Sequence, residues 1–364
     1  MLRLRTILKK MMKAILIVNP GLEQISKEEI KEKIGVDSNV FEGVVEFSTS
    51  AENILKFTKQ CQSGRRLLIA LDQNKDFNYL VISNNLADLF WNEVKFKVVV
   101  EGIKGQENRT SIAKVIAGKI FGKLEDENIK ANLELKNPEL LVVVYFNGVD
   151  YFLGIDIVGK ELDSREYRVF TSSASFKGDL GYALMKKSRF DVNEKSLFGF
   201  VKDGTLAIEA ALWANKLILL KKAKYSFNQM PSFKDLNEEK VVGKEVKVFS
   251  TDSSIGNTNA CRRNSSLAGV KDLIIVQKFS LEDWDVKFDE NEFDLVVVQI
   301  TTKDEDKINE IYYQTSYLLK TGGRVMIIGR PNWDLSISDK FKLIESSELI
   351  KGGSRHKYWL LERV

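Results

Sequence analysis

Histidine is nearly absent from this chain. His356 is the only one among 364 residues, and cysteine and proline are scarce, at two and four. Each shortage excludes a class of chemistry. A single imidazole cannot build a His-rich metal set, and chemistry built on a His–Asp pair would have to rest on His356 alone. Cys61 and Cys261 lie too far apart in sequence for a disulfide framework or a CxxC metal site, so no metal is expected, and the compartment reads as reducing and cytoplasmic. His356 follows Gly352-Gly353-Ser354-Arg355 and reads as a solvated hairpin residue. No apolar run approaches the roughly 20 residues that span a bilayer, so no membrane partner is expected. No Ser/Gly-rich tract marks a flexible linker. The opening MLRLRTILKKMMK is basic and apolar but has no small-residue cleavage site; it reads as an over-extended start, with Met12 as the true beginning.

What is present is an ordinary globular composition with a formal net charge of +4, divided almost evenly along the chain. Bulk charge therefore gives no argument for or against nucleic acid. The basic clusters Lys9-Lys10, Arg65-Arg66, Lys186-Lys187-Arg189, Lys221-Lys222-Lys224 and Arg262-Arg263 read individually as solvated surface.

The hydrophobic pattern changes character near residue 161. Before it, KAILIVNPG reads as a strand and turn, and a helix follows with Ser26 as N-cap and Glu29 completing a capping box. VFEGVVEFST and AENILKFTKQC continue as strand and helix. A second α+β unit holds LLIALD, VKFKVVVEGI, the amphipathic SIAKVIAGKIFGKL, and two strands flanking the hairpin signal Asn147-Gly148. After it, apolar strands alternate with helices from KSLFGF to RVMIIGR, the signature of a mostly parallel sheet, and FKLIESSELI and KYWLLERV close an antiparallel edge. The fold class expected is α/β, with domains at 1–62, 63–160 and 161–364.

Several of these stretches, in this order, resemble the THUMP-containing class I methyltransferase family, and the likeness covers nearly the whole chain. NPGLEQISKEEI is similar to that family's ferredoxin-like segment, and FKVVVEGIKGQ through NPELLVVVYFNGVDYFLGIDIVG to its THUMP module. Arg165-Glu166-Tyr167-Arg168 resembles Arg-Gly-Tyr-Arg, ASFKGDLGYALM resembles Ala-Pro-Leu-Lys-Glu-Thr-Leu-Ala, and Gly204-Thr205 with IEAA completes the run. The resemblance implies an N-terminal ferredoxin-like domain, a THUMP domain that grips RNA at the end of a tRNA acceptor stem, and a Rossmann-like domain that holds S-adenosylmethionine. The RNA contacts so implied are Arg109, Lys114 and Lys119 on the THUMP helix, and Arg165, Tyr167, Arg168 and Lys177 at the joint.

Transfer of a methyl group from a sulfonium needs a cradle that holds donor and acceptor in line. The family's loop, Asp-Pro-Phe-Cys-Gly-Ser-Gly-Thr, falls on Phe198-Gly199-Phe200-Val201-Lys202-Asp203-Gly204-Thr205. Its acid is thus Phe198, and its first close-approach glycine is Lys202, a cation facing a cationic ligand. The ribose-binding acid falls near Ser254; Asp252 is the acid nearby, and equally a cap for the helix that follows. The adenine-side acid falls at Phe279, whose first expectation is packing. The Asn-Pro-Pro-Tyr element falls on Gln299-Ile300-Thr301-Thr302, which keeps an amide but no prolines and no stacking ring. Gly204, Thr205, Asp252 and Ser254 remain the candidate cofactor residues, and Gln299 the catalytic candidate. The function expected is that of an RNA-binding, methyltransferase-like protein with a weakened or lost S-adenosylmethionine site. Two alternatives stand beside it: an active guanine-N2-type RNA methyltransferase with divergent motifs, and a scaffold for an active methyltransferase subunit.

Overall fold

The computed structural model describes residues 11–172, 175–220, 225–236, 246–351 and 354–364. Lys9-Lys10, Lys221-Lys222-Lys224 and Gly352-Gly353 lie outside them. The chain forms two compact units, one of residues 1–162 with 220–239, the other of 163–219 with 240–364.

The first unit is built on one eight-stranded sheet: β1 (Met11–Val18), β2 (Ser38–Phe41), β3 (Val44–Ser50), β4 (Gly64–Asn74), β5 (Val94–Glu101), β6 (Ala131–Leu133), β7 (Leu140–Phe146) and β8 (Tyr151–Asp156), in the order β2-β3-β1-β4-β8-β7-β5-β6. Helices α1 (Glu23–Ile34), α2 (Ala51–Gln60) and α3 (Gln106–Asp126) accompany it. The expected boundary at 62/63 falls just before β4, which pairs antiparallel with β1 on one side and β8 on the other. One core therefore runs from Met12 through Leu153 to Phe233. Tyr225, Phe227, Met230 and Phe233, from a segment far along the chain, are buried in it, and the backbone N–H of Phe227 donates to Ile157 O at 2.8 Å.

Two local expectations change. Helix α1 begins at Glu23, whose carboxylate accepts the backbone N–H of Gly21 and Gly43, so Ser26 is not its cap. Glu29 is instead a buried acid that accepts the N–H of Gln62 (2.7 Å) and Ser63 (2.9 Å) and pairs with Lys33. The Asn147-Gly148 hairpin closes through residues 147–150 between the paired Phe146 and Tyr151, with Gly148 at φ 104°.

The second unit carries a seven-stranded sheet: β9 (Ser196–Gly199), β10 (Val248–Thr251), β11 (Ile274–Gln277), β12 (Phe293–Gln299), β13 (Leu319–Gly329), β14 (Phe341–Lys351) and β15 (Ser354–Arg363). Its order is β11-β10-β9-β12-β13-β15-β14, parallel as far as β13, with β15 antiparallel to both β13 and β14. This is the doubly wound sheet with an antiparallel edge that the alternating pattern predicts. Helices α4 (Gly178–Lys187), α5 (Thr205–Ala214), α6 (Ile255–Ala268), α7 (Trp284–Lys287) and α8 (Glu305–Leu318) connect the strands. From β9 the chain moves outward to β10 and β11 and then returns to the other side as β12. The carboxyl ends of β9 and β12 therefore form the switch point at which open α/β sheets take ligands. His356 is not the solvated residue expected: it is half-buried in β15, its ring edge-on to Phe176 at 5.0 Å, and burial pushes its pKa down.

Candidate functional site

The loop from β9 to α5 forms a tight turn at the carboxyl end of β9. Val201 N–H donates to Thr251 O at 3.1 Å and Gly204 N–H to Val201 O at 2.8 Å. Phe200, Lys202 and Gly204 are all left-handed, with φ of 54°, 53° and 86°. At Lys202 this geometry costs a non-glycine residue about 1 kcal/mol, because its Cβ crowds the following carbonyl. Gly204 has a packing reason of its own: a Cβ there would lie 2.6 Å from Cys261 Sγ and 3.1 Å from Cys261 Cα, so the glycine lets α5 approach α6. At Gly199 a Cβ would lie 2.5 Å from the Trp284 ring. Phe198 is a core residue, packed on Phe190, which in turn meets Trp213 edge-on.

Asp252, after β10, is buried and its oxygens are occupied. Oδ2 accepts Lys202 N–H at 3.2 Å, Oδ1 accepts Ser254 N–H at 2.9 Å, and Asn257 Nδ2 donates to both, at 3.1 and 3.0 Å. It is not the helix cap: the N-cap of α6 is Ser254, whose hydroxyl accepts Asn257 N–H. Thr205 is likewise engaged, its hydroxyl and N–H both donating to Asp203 Oδ1 at 2.8 and 3.1 Å. Gln299 ends β12, buried, and the turn after it caps α8: Thr302 Oγ1 accepts Asp304 N–H, and Asp304 accepts Asp306 N–H. Phe279 packs edge-on against Phe288 at 5.4 Å, in line with the packing expectation. Lys307, on α8, places its ammonium 5.2 Å from the centre of the Phe200 ring.

The joint residues proposed as RNA contacts turn inward. Arg165 is buried, and its Nε and Nη2 donate to Glu209 Oε1 and Oε2 at 2.8 and 3.2 Å. Buried Tyr167 donates its hydroxyl to Glu209 Oε1 at 2.6 Å. Burial opposes the guanidinium charge, but Glu209 outweighs it and raises the Arg165 pKa; burial and then Glu209 raise that of Tyr167. Gly178 leaves room for this pair, since a Cβ there would lie 2.4 Å from Arg165 Nε. Arg168 reaches the same helix start through Thr205 Oγ1 (3.2 Å) and Asp203 Oδ2 (3.5 Å). Arg165, Tyr167 and Arg168 are therefore internal partners of α5 and its loop, correcting their assignment as surface contacts. The missing signal was Glu209: an acid in an alanine-rich buried helix requires a buried cation.

The remaining basic candidates divide. Lys119 donates to Asn78 O and Leu80 O at 2.6 and 2.7 Å, which fastens the loop after β4. Lys177 is exposed and 3.7 Å from Asp163. Arg109 and Lys114 are exposed on α3. Arg65 and Arg66 are not free surface cations; they are interlaced with Glu101, Asp156 and Glu161. Among the described residues no group of His, Cys, Asp and Glu could hold a metal ion, and no helix is long and apolar enough to cross a membrane.

Fold and loop together define a Rossmann-like, methyltransferase-type α/β unit. Residues 165–332 match the family model UPF0020, described as RMKL-like, methyltransferase domain. Over nearly the whole chain the fold is similar to SMU.472 solved with SAH (17% identity, 97% of this chain and 98% of that one, TM-score 0.74). It is also similar to a possible methylase from Clostridium difficile 630 (15%, 98% and 99%, TM-score 0.76). TrmN from Thermus thermophilus matches in the same way (17%, 98% and 100%, TM-score 0.69).

Proposed function

We propose that this chain is an RNA-binding protein of methyltransferase fold, directed to tRNA and acting by binding rather than by methyl transfer. The observation that carries the reading is the closed state of the cradle. Asp252 is buried under donors from Lys202, Ser254 and Asn257, so no free carboxylate face is left for a ribose. Lys202 places a cation and a Cβ where the family's loop has glycine, and Phe198 is locked in the core. These residues do not fit a sulfonium cofactor. RNA binding rests on the THUMP resemblance and on the exposed Arg109 and Lys114, which suit phosphate contacts. The test is a tRNA shift titration alongside methyl transfer from labelled S-adenosylmethionine. Retention of tRNA that weakens several-fold in Arg109→Ala/Lys114→Ala, with no label transferred, supports the reading; label in the RNA refutes it.

One observation favours the second reading, an active S-adenosylmethionine-dependent RNA methyltransferase. The loop holds three left-handed residues in a tight turn, and the similar SMU.472 was solved with SAH. The same label-transfer assay decides between them. The scaffold reading is tested by a pull-down after RNase treatment: a methyltransferase partner that survives RNase supports it, and loss of every partner argues against it.

A further inference from the structure

Strained backbone and positive charge coincide at the switch point of the second sheet. Phe200 and Lys202 are both left-handed within one short loop at the carboxyl end of β9. Two such non-glycine residues so close together are strained, and strain of this kind clusters at functional sites. The Lys202 backbone N–H is held by Asp252, which fixes the loop, while its half-buried side chain makes no ion pair or hydrogen bond among the described residues. Lys307 lies over Phe200, and its ammonium has no carboxylate partner among the described residues. Lys278 and Lys303 are exposed in the loops after β11 and β12.

The carboxylates of the β9 and β10 loops are engaged, whereas Glu305 and Asp306 at the start of α8 and Glu282 after β11 are exposed. Asp203 bonds Thr205 and Arg168, Asp252 is closed as described, and Asp304 caps α8. Glu305 and Asp306 belong to the first turn of α8, where they complement its dipole. At the end of β10 the buried Thr251 hydroxyl has no hydrogen-bond partner among the described residues. Around the β9 loop the rim therefore presents the ammonium groups of Lys202 and Lys307, with the acids of the β9 and β10 loops turned to internal donors, at the place where open α/β sheets receive ligands.

We propose that this crevice binds a phosphate oligoanion, with Lys202 and Lys307 as its principal charged contacts. The inference rests on the reading that S-adenosylmethionine has lost its cradle, and it explains why the loop carries a strained lysine: the change that repels a sulfonium attracts a phosphate. A nucleoside triphosphate and inorganic triphosphate share the chemistry required and are separated by the experiment.

Isothermal calorimetry on the full chain uses ATP, inorganic triphosphate, adenosine and S-adenosylmethionine, at low and at physiological salt. ATP is expected to bind at least tenfold more tightly than adenosine, and to weaken with salt as paired charges are screened. Triphosphate matching ATP identifies the anion alone as the ligand; triphosphate weaker than ATP identifies a nucleotide. Lys202→Gly suits the left-handed backbone, so it is expected to keep the fold while losing about tenfold in ATP affinity; Lys307→Ala should lose several-fold. ATP affinity unchanged in both variants overturns the inference, as does retention of RNA with neither ATP nor triphosphate bound. Binding of S-adenosylmethionine instead overturns the reading beneath it, whereas absence of every ligand overturns the inference alone.

Discussion

Replacing Glu209 with glutamine tests whether the residues that look like RNA contacts are internal. In the protein, Glu209 receives Arg165 Nε at 2.8 Å, Arg165 Nη2 at 3.2 Å and the Tyr167 hydroxyl at 2.6 Å, and the side chains of Glu209 and Arg165 are 0% and 3% exposed. Glutamine keeps the volume and removes the charge, which takes from the buried guanidinium the counter-ion that raises its pKa most, with Asp179 acting on it more weakly. Breaking a buried pair from one side costs about 3–5 kcal/mol, a large share of the roughly 5–15 kcal/mol that holds a domain folded. For a unit of this size, about 2–4 °C of melting temperature accompanies each kcal/mol, so a fall of roughly 6–20 °C is expected. Thermal and urea denaturation of Glu209→Gln and Arg165→Met read it directly. The double variant Arg165→Met/Glu209→Leu should recover much of the loss, because a buried pair replaced by apolar groups of similar volume is often neutral. A shift below about 1 kcal/mol in both single variants, or a loss of RNA affinity with stability unchanged, would refute the reasoning and return Arg165 to the RNA interface.

Three further outcomes follow from the same structure. Lys202→Gly relieves a left-handed non-glycine residue and should stabilise the second unit by about 1 kcal/mol in urea titration, without creating S-adenosylmethionine binding; a destabilised variant would contradict the strain argument. Phe233→Ala should destabilise the first unit by about 3–5 kcal/mol although it lies beyond residue 162, and a fragment of residues 1–162 should fold only when residues 225–236 are supplied; a fragment that melts cooperatively without them contradicts this. Burial raises the pKa of Glu29, but Lys33 and the donors from Ser63 and Gln62 outweigh burial and set it below 4.5. Its contribution is therefore fully present above pH 4.5 and is lost as pH falls through the lower folded value. Glu29→Gln should weaken that acid dependence in pH-jump unfolding, and an unchanged profile would rule the contribution out.

Where periodicity carries the signal, sequence and structure agree: apolar strands alternating with helices from KSLFGF onward do form the mostly parallel sheet, and the last two strands form its antiparallel edge. The β9 loop was legible only in part: Gly204 with the helix after it follows the pattern, whereas Phe200 and Lys202 hold left-handed φ values of 54° and 53° that their residue types do not announce. The joint was not. Arg165 and Arg168 read as RNA contacts because the acids that claim them, Glu209 and Asp203, lie well along the chain on α5 and in the loop before it, and a local pattern does not encode a distant counter-ion. For the same reason residues 225–236 looked like part of the later domain: nothing in their own spacing tells that Phe227 and Phe233 complete the core of the earlier one. Ser26 and Glu29 match a capping box letter for letter, yet burial overrides it, since Glu29 finds stronger partners in Lys33, Gln62 and Ser63.

The central claim is that the methyltransferase cradle has closed on itself. Calorimetric titration of the wild-type chain with S-adenosylmethionine tests it most directly. No binding heat up to millimolar cofactor is the predicted result, with Asp252, Lys202 and Phe198 in the places described. A clear micromolar isotherm, abolished by Asp252→Ala, would contradict the account and make this chain a functioning methyltransferase site.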